Sequence, residues 1–212
     1  KTTIKQQVLS QLPGVAQREA GWSAERNGPI YDTVDLDNYY RNFKERRAAL
    51  GDADFFQKTD LDTPKALTLA DAARDMLRIK NGRAVKTPVY QFHDCDRVEG
   101  ETTRTPAPFF FMEGLFTLTP EKLRKVFDMR IFIDAPEAVR AERWWKRAPE
   151  RNLHGDAAKA LFKRTMDAHN RHVEPATDHA NVVVDGTAPL QHMEDTMNRF
   201  LGLLVKTFYG TK

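Results

Sequence analysis

Apolar positions recur at two spacings along this chain, and the spacing changes from segment to segment. Recurrence every three or four residues predicts amphipathic helices over residues 4–12, 69–77 and 190–204. Short apolar runs predict strands over residues 30–36, 108–112, 129–133 and 181–184. Strands that alternate with helices are typical of an α/β fold, in which a parallel sheet is wrapped by helices.

Two segments predict strands with distinct surroundings. The run over residues 108–112 contains no polar side chain, so we expect a strand that is buried on both faces. Residues 84–90 and 98–104 flank a polar turn and predict a small antiparallel hairpin.

Polar residues mark where helices begin and end. Thr68 and Asp71 predict a capping box, and the Asn-Gly pair at residues 81–82 predicts the end of that helix. The Thr-Pro-Glu run at residues 119–121 predicts another helix start. A further helix is expected to carry arginines from residue 140 to residue 151.

Length and composition limit the class of protein. The chain has 212 residues, enough for one well-buried domain over residues 1–212. No apolar run is long enough to span a bilayer, and we expect no membrane partner. A single cysteine, Cys95, excludes an internal disulfide and predicts a reducing, cytoplasmic location. The net charge of +3 is too mild to indicate a nucleic-acid partner. A homo-oligomer is left open.

Basic residues are concentrated in the middle of the chain. Four of them recur at spacings of three and four and therefore share one helix face: Arg140, Arg143, Arg147 and Arg151. A stripe that faces a phosphate cleft would neutralise negative charge in a transition state. The alternative is a solvated face on which the arginines pair with neighbouring glutamates.

The first residues, Lys1-Thr2-Thr3, precede an amphipathic helix. They match the end of a phosphate-binding loop, G-x-x-x-x-G-K-[ST], whose helix points its first amides at phosphate. In that interpretation Lys1 contacts the β- and γ-phosphates and Thr2 supplies a hydroxyl oxygen to Mg²⁺. In the other interpretation Lys1 is an ordinary terminal lysine. We expect about ten further residues before Lys1, enough for a strand and the glycines of the loop.

Carboxylates follow two of the predicted strands. Asp35 and Asp37 come at the end of the first strand, where α/β sheets place ligand sites. Either could accept the proton of an attacking hydroxyl, and the other could cap the next helix. Glu113 follows the apolar run, where a carboxylate is costly unless it meets a cation or donors. Its candidate roles are a magnesium ligand and a helix cap.

Six segments, in order, resemble the uridine kinase and phosphoribulokinase family of P-loop kinases, most closely its uridine kinase branch. They are Asp35-Leu36-Asp37-Asn38-Tyr39-Tyr40-Arg41, Leu61-Asp62-Thr63-Pro64-Lys65-Ala66, residues 82–97 with Pro88-Val89-Tyr90-Gln91-Phe92, Phe111-Met112-Glu113-Gly114, residues 123–134 and residues 174–181. The resemblance implies a P-loop NTPase-type parallel sheet wrapped by helices. It also implies a small β-hairpin over the substrate site and an arginine-rich lid.

The resemblance implies roles for individual residues. It makes Asp37, rather than Asp35, the catalytic aspartate, and it makes Asp62 the acid that holds ribose hydroxyls. Tyr90, Phe92 and Arg97 lie in the segment that covers a nucleoside. Taken by themselves, the two aromatic residues fit either a base sandwich or the core, and Arg97 fits either a base contact or a surface charge on the hairpin.

The implied cofactors are ATP, as phosphoryl donor, and Mg²⁺. The implied ATP contacts are Lys1, Thr2, Thr3, Arg147 and Arg151. The implied magnesium ligands are Thr2 and Glu113, and the residues expected to act in catalysis beside Asp37 are Lys1, Arg143 and Arg147.

Three departures from the family pattern concern the substrate. Cys95 stands where the family has the histidine that reads a pyrimidine, Thr63 replaces another histidine, and residues 151–154 replace the Arg-Gly-Arg of the lid. We expect an ATP-dependent kinase for a small hydroxyl substrate, with the 5′-hydroxyl of a uridine- or cytidine-like nucleoside favoured. The alternatives are a kinase for another metabolite, such as a ribosyl cofactor precursor, pantothenate or a sugar phosphate, and a non-catalytic nucleotide-binding regulator.

Overall fold

The computed structural model describes residues 2–151 and 153–210, without the side chains of residues 2–4, 7, 53 and 151. The α-helices of this part are α1 (Thr2–Ala20), α2 (Ala24–Asn27), α3 (Lys44–Leu50), α4 (Asp52–Lys58), α5 (Leu69–Lys80), α6 (Glu121–Arg124), α7 (Glu137–Arg147), α8 (Gly155–Ala168) and α9 (Leu190–Tyr209). A short turn of 3₁₀-helix, Leu36–Tyr39, follows the first strand. Among the described residues, no helix is both long and apolar enough to cross a membrane.

The strands form three pairs. They are β1 (Tyr31–Asp35), β2 (Val85–Gln91), β3 (Asp96–Arg104), β4 (Phe109–Glu113), β5 (Ile131–Asp134) and β6 (Val182–Asp185). β1 pairs with β4 and β5 pairs with β6, both in parallel, whereas β2 and β3 form an antiparallel hairpin. The predictions of an α/β fold with parallel strands and of the hairpin are therefore confirmed.

Two apolar clusters lie on different sides of the β1–β4 pair. One contains the buried side chains of α5 together with Val34, Leu36 and Phe116. The other joins α1 to α9 through residues such as Leu12 and Val205, both fully buried. The first helix therefore continues well beyond the predicted residues 4–12, because its later apolar positions pack against α9 and Ile30.

Several local predictions were wrong in detail. The Thr68 hydroxyl caps no amide of α5, and instead donates to the Tyr39 carbonyl oxygen at 3.2 Å. All five residues of β4 are half-buried rather than fully buried. The arginine-rich helix ends at Arg147, and Arg151 belongs to a separate 3₁₀ turn. The strand and glycines expected before Lys1 lie outside the described residues, as does Lys1 itself.

Arg97 fastens the hairpin to the start of α5. Its side chain is 8% exposed, with ion pairs to Glu99 at 2.6 Å and to Asp71 at 3.5 Å. It also donates to the Thr68 hydroxyl, and its guanidinium lies 5.9 Å from the centre of the Tyr39 ring. These contacts connect β3 to α5 and to the turn after β1, so the position of the hairpin depends on them.

We expect Arg97→Met to destabilise the fold by about 2 kcal/mol, because it removes a nearly buried guanidinium whose ion pairs and hydrogen bond join β3 to α5. Urea unfolding followed by circular dichroism measures this. Arg83→Met is the matched control, since Arg83 is exposed beside the same hairpin, and it should change stability by less than about 0.5 kcal/mol. Unchanged stability in Arg97→Met would contradict a structural role and favour the predicted substrate contact.

Candidate active site

A cavity of about 460 Å³ lies between the two parallel pairs of strands. Consecutive residues of β4 and β5, and those just after them, line it over residues 111–115 and 131–135. Successive side chains of a strand point to opposite faces of a sheet. A strand that lines a cavity with consecutive residues therefore borders that cavity with its edge rather than with one face. The remaining walls come from α1, α7, α8 and α9: Lys5, Val8, Leu9, Arg140, Arg143, Trp144, Arg147, Thr165, Met166 and Met197.

Two carboxylates meet where β1 and β4 end. Asp35 and Glu113 are opposite each other in the parallel register. Lys5, in the first turn of α1, forms an ion pair with Asp35, and its Nζ lies 3.4 Å from Glu113 Oε1. Glu113 therefore meets an ammonium group that the sequence pattern did not indicate.

The same two carboxylates fit the predicted magnesium site. Mg²⁺ prefers oxygen ligands and is usually held by one or two carboxylates together with water and substrate phosphates. Within the described part of the chain, no group of three or more His, Cys, Asp or Glu side chains could hold a metal by itself. The donors at the strand ends therefore suit an ion that arrives with phosphate oxygens. The Thr2 side chain, the other predicted ligand, is outside the description.

Asp37 lies in the 3₁₀ turn directly after β1, close to the hydroxyl of Tyr40. Burial, followed by the charges of Asp37, Asp62 and Asp60, raises the pKa of Tyr40. The Tyr40 hydroxyl donates to the carbonyl oxygen of Leu61 at 3.3 Å. The fold thus brings the predicted catalytic and ribose-binding carboxylates near one phenol. The position of Tyr40 near both was missed, although Tyr40 belongs to the segment that carries Asp37.

Asp62 is held by a helix that lies a hundred residues further along the chain. Its Oδ2 accepts a hydrogen bond from Thr165 Oγ1 of α8 at 2.8 Å. Thr165 also lines the cavity, so Asp62 is connected to the cavity wall. No sequence signal pointed to Thr165. The neighbouring Arg164 donates to the carbonyl oxygens of Phe56 and Gln57, which fixes α8 against α4.

An aromatic wall lies beside these carboxylates. The ring centroids of Tyr90 lie 5.1 Å from those of both Tyr40 and Phe92. Phe92 is 61% exposed, whereas Tyr90 is buried in a small cluster with Phe55 and Cys95. Phe92 therefore has a free face that a flat ligand could cover, and Tyr90 supports it from the core. Cys95 is buried in the turn after Phe92 and has a left-handed backbone, with φ of 53°.

Three of the predicted arginines face the cavity. Arg140 donates to the carbonyl oxygen of Ala135 at 2.7 Å, and Arg143 donates to that of Gly186 at 3.0 Å. Arg147 donates to the carbonyl oxygen of Arg143 at 3.2 Å. Within the described residues, none of the three forms an ion pair with a glutamate of the same helix. Their charges are therefore available to an anionic ligand, and the Arg151 side chain lies outside the description.

The remaining site predictions are placed as follows. The guanidinium of Arg97 already contacts Asp71, Glu99 and Thr68. Its predicted contact with a nucleobase therefore stays a prediction without geometric support. Lys1 and the side chains of Thr2 and Thr3 lie outside the described residues. The predicted roles of the other site residues also stay predictions: Asp37, Asp62, Tyr90, Phe92, Glu113, Arg143 and Arg147. Of these, Glu113, Arg143 and Arg147 line the cavity, and Asp62 is joined to its wall through Thr165.

Known proteins resemble this chain in sequence and in fold. A "Uridine kinase" from Shewanella frigidimarina is 29% identical over 129 residues, which span 60% of this chain and 61% of that protein. A "Uridine kinase" from Borrelia duttonii is 22% identical over 178 residues, 82% of each chain. The crystal structure of phosphoribulokinase from Rhodobacter spheroides superposes with a TM-score of 0.52 at 17% identity. It covers 84% of this chain and 68% of that chain.

These likenesses cover between 60% and 84% of the chain. The structural similarity confirms the predicted P-loop kinase type of α/β fold. The family model described as "Phosphoribulokinase / Uridine kinase family" matches residues 1–191. The chain therefore belongs to the phosphoribulokinase/uridine kinase family.

Proposed function

We propose that this protein transfers the γ-phosphoryl group of ATP to a hydroxyl of a small ribose-containing substrate, most specifically the 5′-hydroxyl of a uridine- or cytidine-like nucleoside. The observation that supports the proposal is that Asp37 and Asp62 both lie near Tyr40, and that Thr165 joins Asp62 to a cavity that three arginines line. Phosphoryl transfer needs positioning and charge neutralisation more than covalent help, and this arrangement offers both.

Each residue has a role in the proposed reaction. Asp37 accepts the proton of the attacking hydroxyl, since it lies at a strand end where a substrate reaches it. Asp62 accepts hydrogen bonds from vicinal ribose hydroxyls, and Phe92, supported by Tyr90, stacks on the base. Arg97 is the weakest of the proposed substrate contacts, because its guanidinium already has partners.

The phosphate end of the site is proposed on the other side of the cavity. Arg143 and Arg147 neutralise charge on the transferring group. Lys1, Thr2, Thr3 and Arg151 hold the remaining phosphates, by the match to a phosphate-binding loop. Thr2 and Glu113, with Asp35 opposite, would hold Mg²⁺, which would neutralise negative charge on the phosphate groups.

Three features outside the site belong to the same proposal. We infer a cytoplasmic enzyme from the single buried cysteine, Cys95. Small molecules, rather than nucleic acid or membrane, are its proposed partners. A single domain over residues 1–212 is proposed, and assembly into a homo-oligomer stays open.

A substrate panel tests the proposal. The full-length protein is incubated with Mg²⁺ and γ-labelled ATP, and transfer is measured to uridine, cytidine, deoxyuridine, pantothenate and a sugar phosphate. We expect loss of the 2′-hydroxyl to lower kcat/KM more than a change of base, because Asp62 is placed for a diol while Cys95 replaces the base-reading histidine. Transfer only to substrates without ribose would contradict the nucleoside assignment. Transfer to no hydroxyl compound would favour a nucleotide-binding regulator.

We expect Asp37→Asn to lower kcat roughly a hundredfold or more, because an amide cannot accept the proton of the attacking hydroxyl. The affinity for ATP, measured by calorimetry, should change little. Asp35→Asn tests the rival assignment, and its kcat should fall less than that of Asp37→Asn, because Asp35 is proposed to face the metal rather than the attacking hydroxyl. Asp54→Asn, at a carboxylate that pairs with Lys58 on α4, is the control and should leave kcat unchanged. If kcat fell more in Asp35→Asn than in Asp37→Asn, Asp35 rather than Asp37 would be the group that accepts the proton of the attacking hydroxyl.

We expect Thr165→Val to raise the KM of the hydroxyl substrate about fivefold while the KM of ATP stays constant. The substitution removes a hydrogen bond worth about 1 kcal/mol that orients Asp62. Thr165→Ser keeps the donor and should restore the KM, and Thr207→Val, at an exposed threonine of α9, should leave it unchanged. If Thr165→Val lowered only the melting temperature, Thr165 would have no role in positioning Asp62.

A further inference from the structure

Lys5 occupies a position that a surface lysine does not usually take. It belongs to the first turn of α1, yet its side chain is only 15% exposed. Its ammonium group contacts Asp35 and lies 3.4 Å from Glu113 Oε1, and these two residues are register partners on β1 and β4. The three charges come from segments that are far apart in sequence, so the fold itself brings them together.

The two carboxylates require a cation. Parallel strands that end at the same level place Asp35 and Glu113 side by side, and like charges in contact disfavour each other. The ammonium group of Lys5 brings one positive charge to these two negative charges. A divalent cation would neutralise both, and it would use the same carboxylate oxygens that face Lys5.

We propose that Lys5 is a tethered cation that competes with divalent metal for Glu113 and Asp35. This inference rests on the proposed function, in which the same carboxylates hold Mg²⁺. Lys5 is then a positioning residue: it keeps the carboxylates together in the absence of metal, and it weakens the binding of free metal ions. Metal must displace the ammonium group from Glu113, and that displacement is opposed by the attraction between the two.

The competition has a consequence for the order of binding. A metal ion that arrives bound to nucleotide phosphates brings more ligands than a free ion does, since Mg²⁺ is commonly held by one or two carboxylates together with substrate phosphates. Lys5 should therefore favour metal delivered with nucleotide over metal bound alone. Lys5 thus selects nucleotide-bound metal over free metal at the binding step, before any phosphoryl transfer.

The test measures metal binding without nucleotide. Mn²⁺ is titrated into the full protein, and free Mn²⁺ is followed by the amplitude of its electron paramagnetic resonance signal. We expect Lys5→Met to lower the Mn²⁺ dissociation constant roughly fivefold or more, because the competing charge is gone. Lys5→Arg keeps the charge and should resemble the unsubstituted protein. Lys44→Met removes an exposed lysine that pairs with Asp96 away from the strand ends, and should also leave the constant unchanged.

A second variant shows where the metal binds. Glu113→Gln combined with Lys5→Met should abolish the gain in affinity, because the carboxylate that the metal uses is lost. An Mn²⁺ affinity in Lys5→Met that equals or falls below that of the unsubstituted protein would overturn the proposal, provided that circular dichroism shows both to be folded. If Lys5→Met destroys the fold, Lys5→Gln, which keeps the length of a polar side chain, is measured in its place.

The phosphoryl-transfer assay separates this proposal from the proposed function. If the protein phosphorylates a nucleoside but Lys5→Met leaves Mn²⁺ binding unchanged, the proposed role of Lys5 is contradicted and the proposed kinase activity stands. Tighter Mn²⁺ binding in Lys5→Met without transfer to any substrate would keep the competition and contradict the kinase.

Discussion

The parallel register of β1 and β4 is the constraint on which the candidate site depends. It fixes Asp35 opposite Glu113, so that two carboxylates share the carboxyl end of one strand pair. Carboxylates in that position need positive charge, and Lys5 of α1 supplies it. The same strand end leads directly into the turn that carries Asp37. One pairing of strands therefore places Asp37, the two carboxylates proposed to hold metal and the first turn of α1 together.

The opposite side of the site is built by elements that hold one another in place. The hairpin is attached to α5 by the ion pairs of Arg97, and α8 is attached to α4 by Arg164. Between them, Tyr40 lies among three carboxylates and beside Tyr90. The buried phenol keeps its proton, because burial and the neighbouring negative charges raise its pKa. Its one proton is donated to the Leu61 carbonyl oxygen, which ties the turn after β1 to the segment that carries Asp62.

Local patterns predicted the elements well and their partners poorly. The hairpin, the strands and α5 are where the apolar spacing indicated, because those signals depend on neighbours within a few residues. Thr68 shows the limit: its hydroxyl oxygen accepts from Arg97 of the hairpin and its proton goes to the Tyr39 carbonyl oxygen, so it caps no amide of α5. The half-burial of β4 has a similar origin, since its edge borders the cavity rather than a neighbouring strand.

The sequence by itself determined the fold class, the family resemblance and the acids at the strand ends, because these follow from residue types at fixed spacings. Only the tertiary structure decided which charges meet. Lys5 with Glu113 and Thr165 with Asp62 join positions about a hundred residues apart, and no periodicity encodes such pairs. Arg97 illustrates the same point, because a charge expected to contact substrate is held by Asp71 and Glu99. The energy of an ion pair depends on distance and burial in three dimensions, and these quantities exist only once the chain has folded.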